Sequence, residues 1–384
     1  MTVLLAGAEI LDVESGSMER ADVLLQGDRI AAVGPGLSGD EQVDCSGGTL
    51  IPGLIDCHAH VAFPSGEPLP RSARILEAVA VLYDLLTRGV TTVRDAWGAD
   101  AGFPHALSAG WIRGPDLLIS VGQLSPTGGL GDDWSPEYGD ADAFADPSLP
   151  DPLFDGTDSA RAAVRRMVRA GADWIKMGAN SPLSSIRRGR DITPTDDEIH
   201  ALVDEARRCG RDVFAHAHTP DSATAAAQAG VRSIEHGVFL DEHAIAAMHR
   251  HRCWYVPTLA GIRSEGDEAS DAAHRRSVQL ALATGVPIAA GSDMSTRPQV
   301  DVLDELPLLS EAGLGDAGAL RAATSEAARL LRLDHDRGCV APGLRADLVL
   351  LDGSGLSLED LPGRIRTVWQ NGRPVTASHA GSGR

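Results

Sequence analysis

The sequence predicts an α/β protein: a (β/α)8 TIM-like barrel with a small β-sandwich domain built from both chain termini. Three observations carry that expectation. Short apolar stretches of strand character alternate with helical patterns through the middle of the chain, and β-rich pieces bracket it at both ends. Histidine, lysine and aspartate recur where the central stretches finish. In a parallel barrel the chemistry sits at the C-terminal ends of the strands, so the last observation is what the first one demands.

Taken in order, residues 2–50 read as short strands separated by polar turns such as Gly27-Asp28: Val3-Leu4-Leu5, Val23-Leu24-Leu25-Gln26 and Arg29-Ile30-Ala31-Ala32-Val33. Barrel strands are expected at 53–60, 90–95, 117–121, 173–177, 212–218, 232–236, 253–258 and 287–293. Helices are expected at 73–88, 159–170, 195–209, 222–229, 241–251 and 272–284, where apolar residues fall at helical spacing. In Thr193-Pro194-Thr195-Asp196-Asp197-Glu198-Ile199 a cap candidate precedes acids in the first turn, which is how a helix starts. The chain closes on Ala346-Asp347-Leu348-Val349-Leu350-Leu351, Ile365-Arg366-Thr367-Val368-Trp369 and the hairpin signal Asn371-Gly372. The expected divisions are 1–52 and 336–384 for the two parts of the composite β-sandwich, and 53–335 for the barrel. Residues 122–155, rich in Gly, Pro and Asp, are too long for an ordinary connection and read as an active-site loop or lid.

Composition narrows the function. A net charge of −20 repels nucleic acid and anionic membranes, which leaves a small-molecule substrate as the expected partner, with homo-oligomer formation left open. Five cysteines, an odd number without a C-x-x-C, fit a reducing cytoplasm better than a disulfide scaffold. No stretch approaches the about 20 apolar residues that span a bilayer, and the N-terminus lacks the basic region of a signal peptide.

The candidate site follows from the strand ends. His58 and His60 end the first strand, Lys176 the fourth, His216 and His218 the fifth, His236 the sixth and Asp293 the eighth. Side chains at i and i+2 share a face, so His58 and His60 can bind one ion from one strand. A solitary His-x-His is more often a surface or hydrogen-bonded core pair; six candidate ligands at one barrel mouth favour a metal. Lys176 is the only lysine among 34 basic residues. A desolvated lysine can lose its proton, which arginine cannot. It can then form a Schiff base, act as a general base or take up CO2 as a carbamate; chance retention is the plain alternative. His218 shares the inward face with His216 and is read as a hydrogen-bond donor to substrate or transition state, with orientation of a neighbouring ligand as the plain alternative. Tyr255 could shape the pocket or belong to the core. Arg188, in the run Arg187-Arg188-Gly189-Arg190, could clamp a substrate carboxylate, although a solvated charge run is more common. His243, His249 and His251 fall on a helix remote from the mouth, and Cys57 reads as packing.

These residues carry a family resemblance. Thr49-Leu50-Ile51-Pro52-Gly53-Leu54-Ile55-Asp56-Cys57-His58-Ala59-His60 resembles the signature of the amidohydrolase superfamily. Asp173-Trp174-Ile175-Lys176, Ala215-His216-Ala217-His218, Ser233-Ile234-Glu235-His236-Gly237, Ala290-Gly291-Ser292-Asp293 and the closing Pro342-Gly343-Leu344-Arg345-Ala346-Asp347 match in the expected order. The chain is most similar to the imidazolonepropionase-related, prolidase-like members, which include Xaa-Pro dipeptidases and ochratoxin-hydrolysing amidases. The resemblance implies two divalent metal ions, usually Zn2+. His58, His60 and Asp293 would hold the buried ion, His216 and His236 the more exposed one, and a CO2-derived carbamate on Lys176 would bridge them. Asp293 is the catalytic residue the resemblance implies, and His218 is counted beside it on the strength of its inward face. Mononuclear deaminases of the superfamily lack the bridging lysine and often carry a Glu soon after the fifth-strand histidine. Here Ala217-His218-Thr219-Pro220 follows His216.

Two segments depart from the pattern. Met177-Gly178-Ala179-Asn180-Ser181-Pro182 stands where a Ser-Gly-Gly or Thr-Gly-Gly is common, and Ala96-Trp97-Gly98 where Gly-Gly is usual. The expected function is a cytoplasmic binuclear hydrolase cleaving an amide or peptide C–N bond of a small substrate, such as a dipeptide or N-acyl amino acid. Its rivals are a cyclic amide hydrolase or deaminase of the imidazolonepropionase-like type, and a non-catalytic binding protein on the same fold.

Overall fold

A computed structural model describes residues 1–62, 69–132, 134, 149–264, 266–294 and 301–375. Both chain ends enter one sheet. Strands β1 (Thr2–Leu11), β2 (Met18–Gln26), β3 (Arg29–Gly34), β4 (Glu41–Asp44) and β5 (Gly48–Pro52) come from the N-terminal segment. A first parallel set follows: β6 (Leu54–Ala59), β7 (Val90–Asp95) and β8 (Asp116–Ile119). A second comprises β9 (Gln123–Leu124), β10 (Ile175–Gly178), β11 (Val213–Ala217), β12 (Ser233–His236) and β13 (Trp254–Val256). The chain finishes with β14 (Leu348–Asp352), β15 (Ile365–Gln370) and β16 (Arg373–Val375). In the terminal sheet the order is β16-β15-β14-β5-β1-β2-β3, with β4 on β1, so β5 and β14 splice the two ends antiparallel. Leu5, Val23, Ile30, Leu50, Leu348 and Trp369, from six of those strands, meet in one apolar cluster. The strands of both chain ends thus form one hydrogen-bonded sheet with an apolar cluster of its own.

Strands β6, β7, β10, β11, β12 and β13 are buried along their length, as expected of strands covered on both faces, while β8 and β9 are part-buried. Helices Arg71–Thr87, Thr157–Arg169, Asp196–Arg208, Pro220–Ala229, Glu242–Arg250 and Glu268–Thr284 lie near the expected positions. Thr195 accepts from the Glu198 N–H while the Glu198 side chain accepts from the Thr195 N–H, a complete capping box that starts the helix where the sequence places it.

The eighth expected strand, 287–293, differs. It forms no regular ladder, only isolated bridges from Ile288 to Tyr255 and from Met294 to Ala59. Backbone bonds nevertheless tie it to both neighbours. Ala289 N donates to Tyr255 O (3.0 Å), Cys57 N to Ala290 O (2.9 Å), and Ser292 N and Asp293 N both donate to His58 O (3.1 and 2.7 Å). Two donors on one carbonyl break the even spacing of a parallel ladder. At the other edge Asp173 N donates to Ile119 O (2.8 Å), so the two parallel sets are tied at both margins. The segment at 122–155 is rooted by bonds from Thr127 to Asp155 and by a Ser125–Leu153 bridge; within it, 133 and 135–148 lie outside the described residues. No helix among the described residues is long and apolar enough to cross a membrane.

The close approach of the eighth segment to β6 depends on Gly291. A Cβ there would lie 2.6 Å from Val256 Cγ1 and 2.9 Å from His58 Cβ. Gly291→Ala should destabilise the protein by about 1–3 kcal/mol, read from the urea midpoint; an unchanged midpoint would contradict the packing described.

Candidate metal centre

His58, on β6, lies fully buried with its two ring nitrogens facing different groups. Nδ1 is 2.7 Å from Glu235 Oε2, while Nε2 is 3.3 Å from Lys176 Nζ and 3.5 Å from Asp293 Oδ1. His60 Nε2 lies 3.1 Å from the same carboxylate oxygen, and His236 Nδ1 is 3.7 Å from Asp293 Oδ2. His58, His236 and Asp293 each offer a ligand atom, all within 4.8 Å of one another. The His216 ring is 4.6 Å from that of His236 and 4.4 Å from that of His218, which stacks on His236 at 5.2 Å. The structure thus brings together His58, His60, Lys176, His216, His218, His236 and Asp293.

Local backbone explains how they converge. Glu235 and His236 are consecutive, and an extended strand would turn them to opposite faces. His236 instead takes φ 66°, a left-handed conformation rare for a non-glycine residue, which ends β12 and lets both side chains serve one site. Thr258 and Asp293, at the next two strand ends, do the same with φ 56° and 55°. The His236 turn is clamped from behind. His274 Nε2 donates to His236 O (2.6 Å), and the Tyr255 hydroxyl lies 2.8 Å from His236 O and 3.0 Å from Gly237 O. Strain at such a position persists only where the surroundings hold it.

The electrostatics favour neutral ligands. Burial is the first cause in every case: it pushes His58, His218 and His236 well below the ordinary imidazole range, and His216 down to about 3. Neighbouring Lys176 adds to the effect on His58 and His216. Burial likewise lowers Lys176 to about 8, against the opposing pull of Glu235 and Asp293.

Sequence reading missed the support beneath these residues. Arg94 and Glu235 are both fully buried and paired; one guanidinium nitrogen lies 3.1 Å from each carboxylate oxygen. Arg94 Nε also donates to Cys57 O (2.6 Å), and its guanidinium packs on Phe214 at 4.0 Å and Trp174 at 4.9 Å. The Ser233 hydroxyl donates to Glu235. A charged residue inside the apolar run Val90-Thr91-Thr92-Val93-Arg94 was the available signal. The departure at 177–182 also has a role: Asn180 Oδ1 accepts from His218 N (3.2 Å), and Ser181 O lies 3.2 Å from His216 Nε2. At the second departure, Trp97 packs edge-on against His60 with ring centres 6.0 Å apart.

Two expectations need correction. Tyr255 is fully buried and its hydroxyl is committed to the His236–Gly237 backbone, so it supports the site from behind and does not line a pocket. Arg188 is exposed and bonds to Ser184 one helical turn back (3.4 Å), a solvated charge, while the adjacent Arg187 pairs with Asp267 (2.9 Å). His243, His249 and His251 are exposed, and Cys57 is buried in the core, as expected.

The fold and this site define a class: a parallel α/β protein whose strand ends converge neutral imidazoles, a carboxylate and a desolvated lysine, the donor set of a metal-dependent enzyme. The chain belongs to the amidohydrolase family, whose profile matches residues 49–378. It is 30% identical over 370 residues to ochratoxinase from Aspergillus niger, across 84% of this chain and 75% of that protein. A solved prolidase complexed with N-methylphosphonate-L-proline is 31% identical, with a TM-score of 0.85 over 97% of this chain and 99% of its own. A Xaa-Pro dipeptidase with bound methionine in the active site is 26% identical, with a TM-score of 0.84 over the same shares. The chain is therefore a prolidase-like amidohydrolase acting on carbon–nitrogen bonds, and the likeness implies a TIM-like barrel for its parallel strands.

Arg94→Met would leave the Glu235 carboxylate buried without its cation. The loss should be about 3–5 kcal/mol of stability, against about 1 kcal/mol for Tyr255→Phe, which removes a neutral hydrogen bond. Urea unfolding of both variants measures the difference.

Proposed function

We propose that this protein hydrolyses an amide or peptide C–N bond of a small substrate, a dipeptide or N-acyl amino acid, with two divalent ions, Zn2+ by donor chemistry, at the described cluster. The observation that carries this reading is the commitment of one nitrogen on each of three histidines to an orienting partner. His58 Nδ1 faces Glu235, His236 Nδ1 faces Thr258 Oγ1 (2.8 Å) and His216 Nε2 faces Ser181 O. Metal-ligating histidines are held in this way, with the other nitrogen left for the ion. The residues therefore fit the group. His58, His60 and Asp293 would hold one ion, His216 and His236 the other, and Lys176 would join them. When bound, such ions supply Lewis acidity that polarises a carbonyl and lowers the pKa of water towards 7.

The remaining work falls to the side chains. Asp293 has a side chain 23% exposed, the most open of the described ligands, so it reaches towards the mouth. Its carboxylate takes the proton from the attacking water and passes it to the leaving amine. His218 is buried, and its Nδ1 has no hydrogen-bond partner among the described residues, which leaves it free to bind the substrate carbonyl or carboxylate. Lys176 reacts as the neutral amine: its nitrogen adds to the carbon of CO2 and releases one proton, giving a carboxylate with two oxygens to share. The substrate class is supported by the likeness to prolidase, Xaa-Pro dipeptidase and ochratoxinase.

A hydrolysis screen of dipeptides, N-acyl amino acids and cyclic amides tests the reading; turnover confined to the cyclic set would sink it. Asp293→Asn should lower kcat by about 10²- to 10⁴-fold with a much smaller change in substrate affinity, measured by steady-state kinetics and binding to the inactive enzyme. Because Lys176 is lowered to about 8, carbamate formation should rise between pH 7 and 9 as the amine loses its proton. Carbon-13 NMR of the metal-free protein in labelled bicarbonate would show this, and Lys176→Arg should abolish the signal.

A further inference from the structure

Glu235 has more to do than neutralise Arg94. Every other group on its carboxylate is a donor: Arg94 contacts both oxygens at 3.1 Å, and the Ser233 hydroxyl donates to Oε1. Arg94 is itself fixed by the Cys57 carbonyl and by two aromatic faces, so the carboxylate cannot swing away. The remaining direction, Oε2, points at His58 Nδ1 from 2.7 Å. A neutral imidazole carries one N–H and one lone pair, and an ionised carboxylate only accepts. The contact therefore requires the proton on Nδ1 and leaves the lone pair on Nε2, which faces Lys176 Nζ and Asp293 Oδ1.

We infer that Glu235, held in place by Arg94, is a positioning residue that locks His58 in its Nδ1–H tautomer and so presents Nε2 to the metal site. The pair adds a layer beneath the ligands: β7 supplies the cation, β12 the anion and β6 the histidine. Only the metal-affinity consequence rests on the function proposed above; the tautomer itself does not.

The substitution Glu235→Gln tests the lock by inverting it. An amide keeps its oxygen towards the Arg94 cation, where charge demands an acceptor, and turns its NH2 towards His58. Nδ1 must then accept, and the proton moves to Nε2. Imidazole 15N NMR of histidine-labelled, metal-free protein reads this directly, with the His58 signals identified by their loss in His58→Gln. The wild type should show the Nδ1–H form and Glu235→Gln the Nε2–H form. Zinc affinity, measured by chelator competition, should fall about 10- to 100-fold in the variant. An Nε2–H tautomer in the wild type overturns the inference even if the variant does not fold. So does a folded variant with an unchanged tautomer or wild-type zinc affinity. An Nδ1–H tautomer in a wild type that takes up no zinc supports the lock and instead overturns the metal reading.

Discussion

The interior of this protein depends on one buried ion pair. Arg94 and Glu235 are wholly enclosed, and neither charge would be tolerable alone in that setting. Together with Ser233, the Cys57 carbonyl and the Phe214 and Trp174 rings, they form a network whose donors and acceptors are matched. Burial raises the Glu235 carboxyl above its ordinary range, and the Arg94 guanidinium is the largest pull against that rise. The network lies beneath the strand ends and contacts the site through His58. At this level the chain sets a buried ion pair among apolar and aromatic side chains such as Phe214 and Trp174.

Desolvation then sets the character of the groups at the mouth. The same burial that would penalise a charged imidazole keeps His58, His216 and His236 neutral, with a lone pair to offer a cation. It also lowers the single lysine of the sequence, Lys176, to about 8, so that its amine loses its proton more readily than a surface lysine. Backbone strain contributes the geometry. Left-handed residues at three successive strand ends, His236, Thr258 and Asp293, let adjacent side chains share a site that regular alternation would have divided. Tyr255 and His274 hold the first of these from behind.

Most of the strand-and-helix order was legible because it rests on local signals. The apolar runs ending in His58-Ala59-His60 and His216-Ala217-His218 each announce a strand that terminates in chemistry, and Thr195 with Glu198 announces a helix start. The eighth stretch was legible as an extended segment but not in its irregularity, which comes from two amides sharing the His58 carbonyl and from the contact Gly291 permits with β6. Tyr255 and Arg188 misled because a residue near a strand end can face the mouth, the core or water. Which of these it faces depends on neighbours distant in sequence.

The sequence by itself determined the α/β class, the composite origin of the terminal sheet and the inventory of metal-capable residues, since periodicity, turn chemistry and residue type are local properties. Tertiary structure alone decided which nitrogen of each imidazole faces the site, that Glu235 and Arg94 stand beneath it, and that Tyr255 belongs to its frame. Those facts depend on contacts between separate strands and loops, some of them far apart in sequence, as between His58 and Glu235. No local pattern encodes a hydrogen bond across that separation; it exists only once the strands lie side by side.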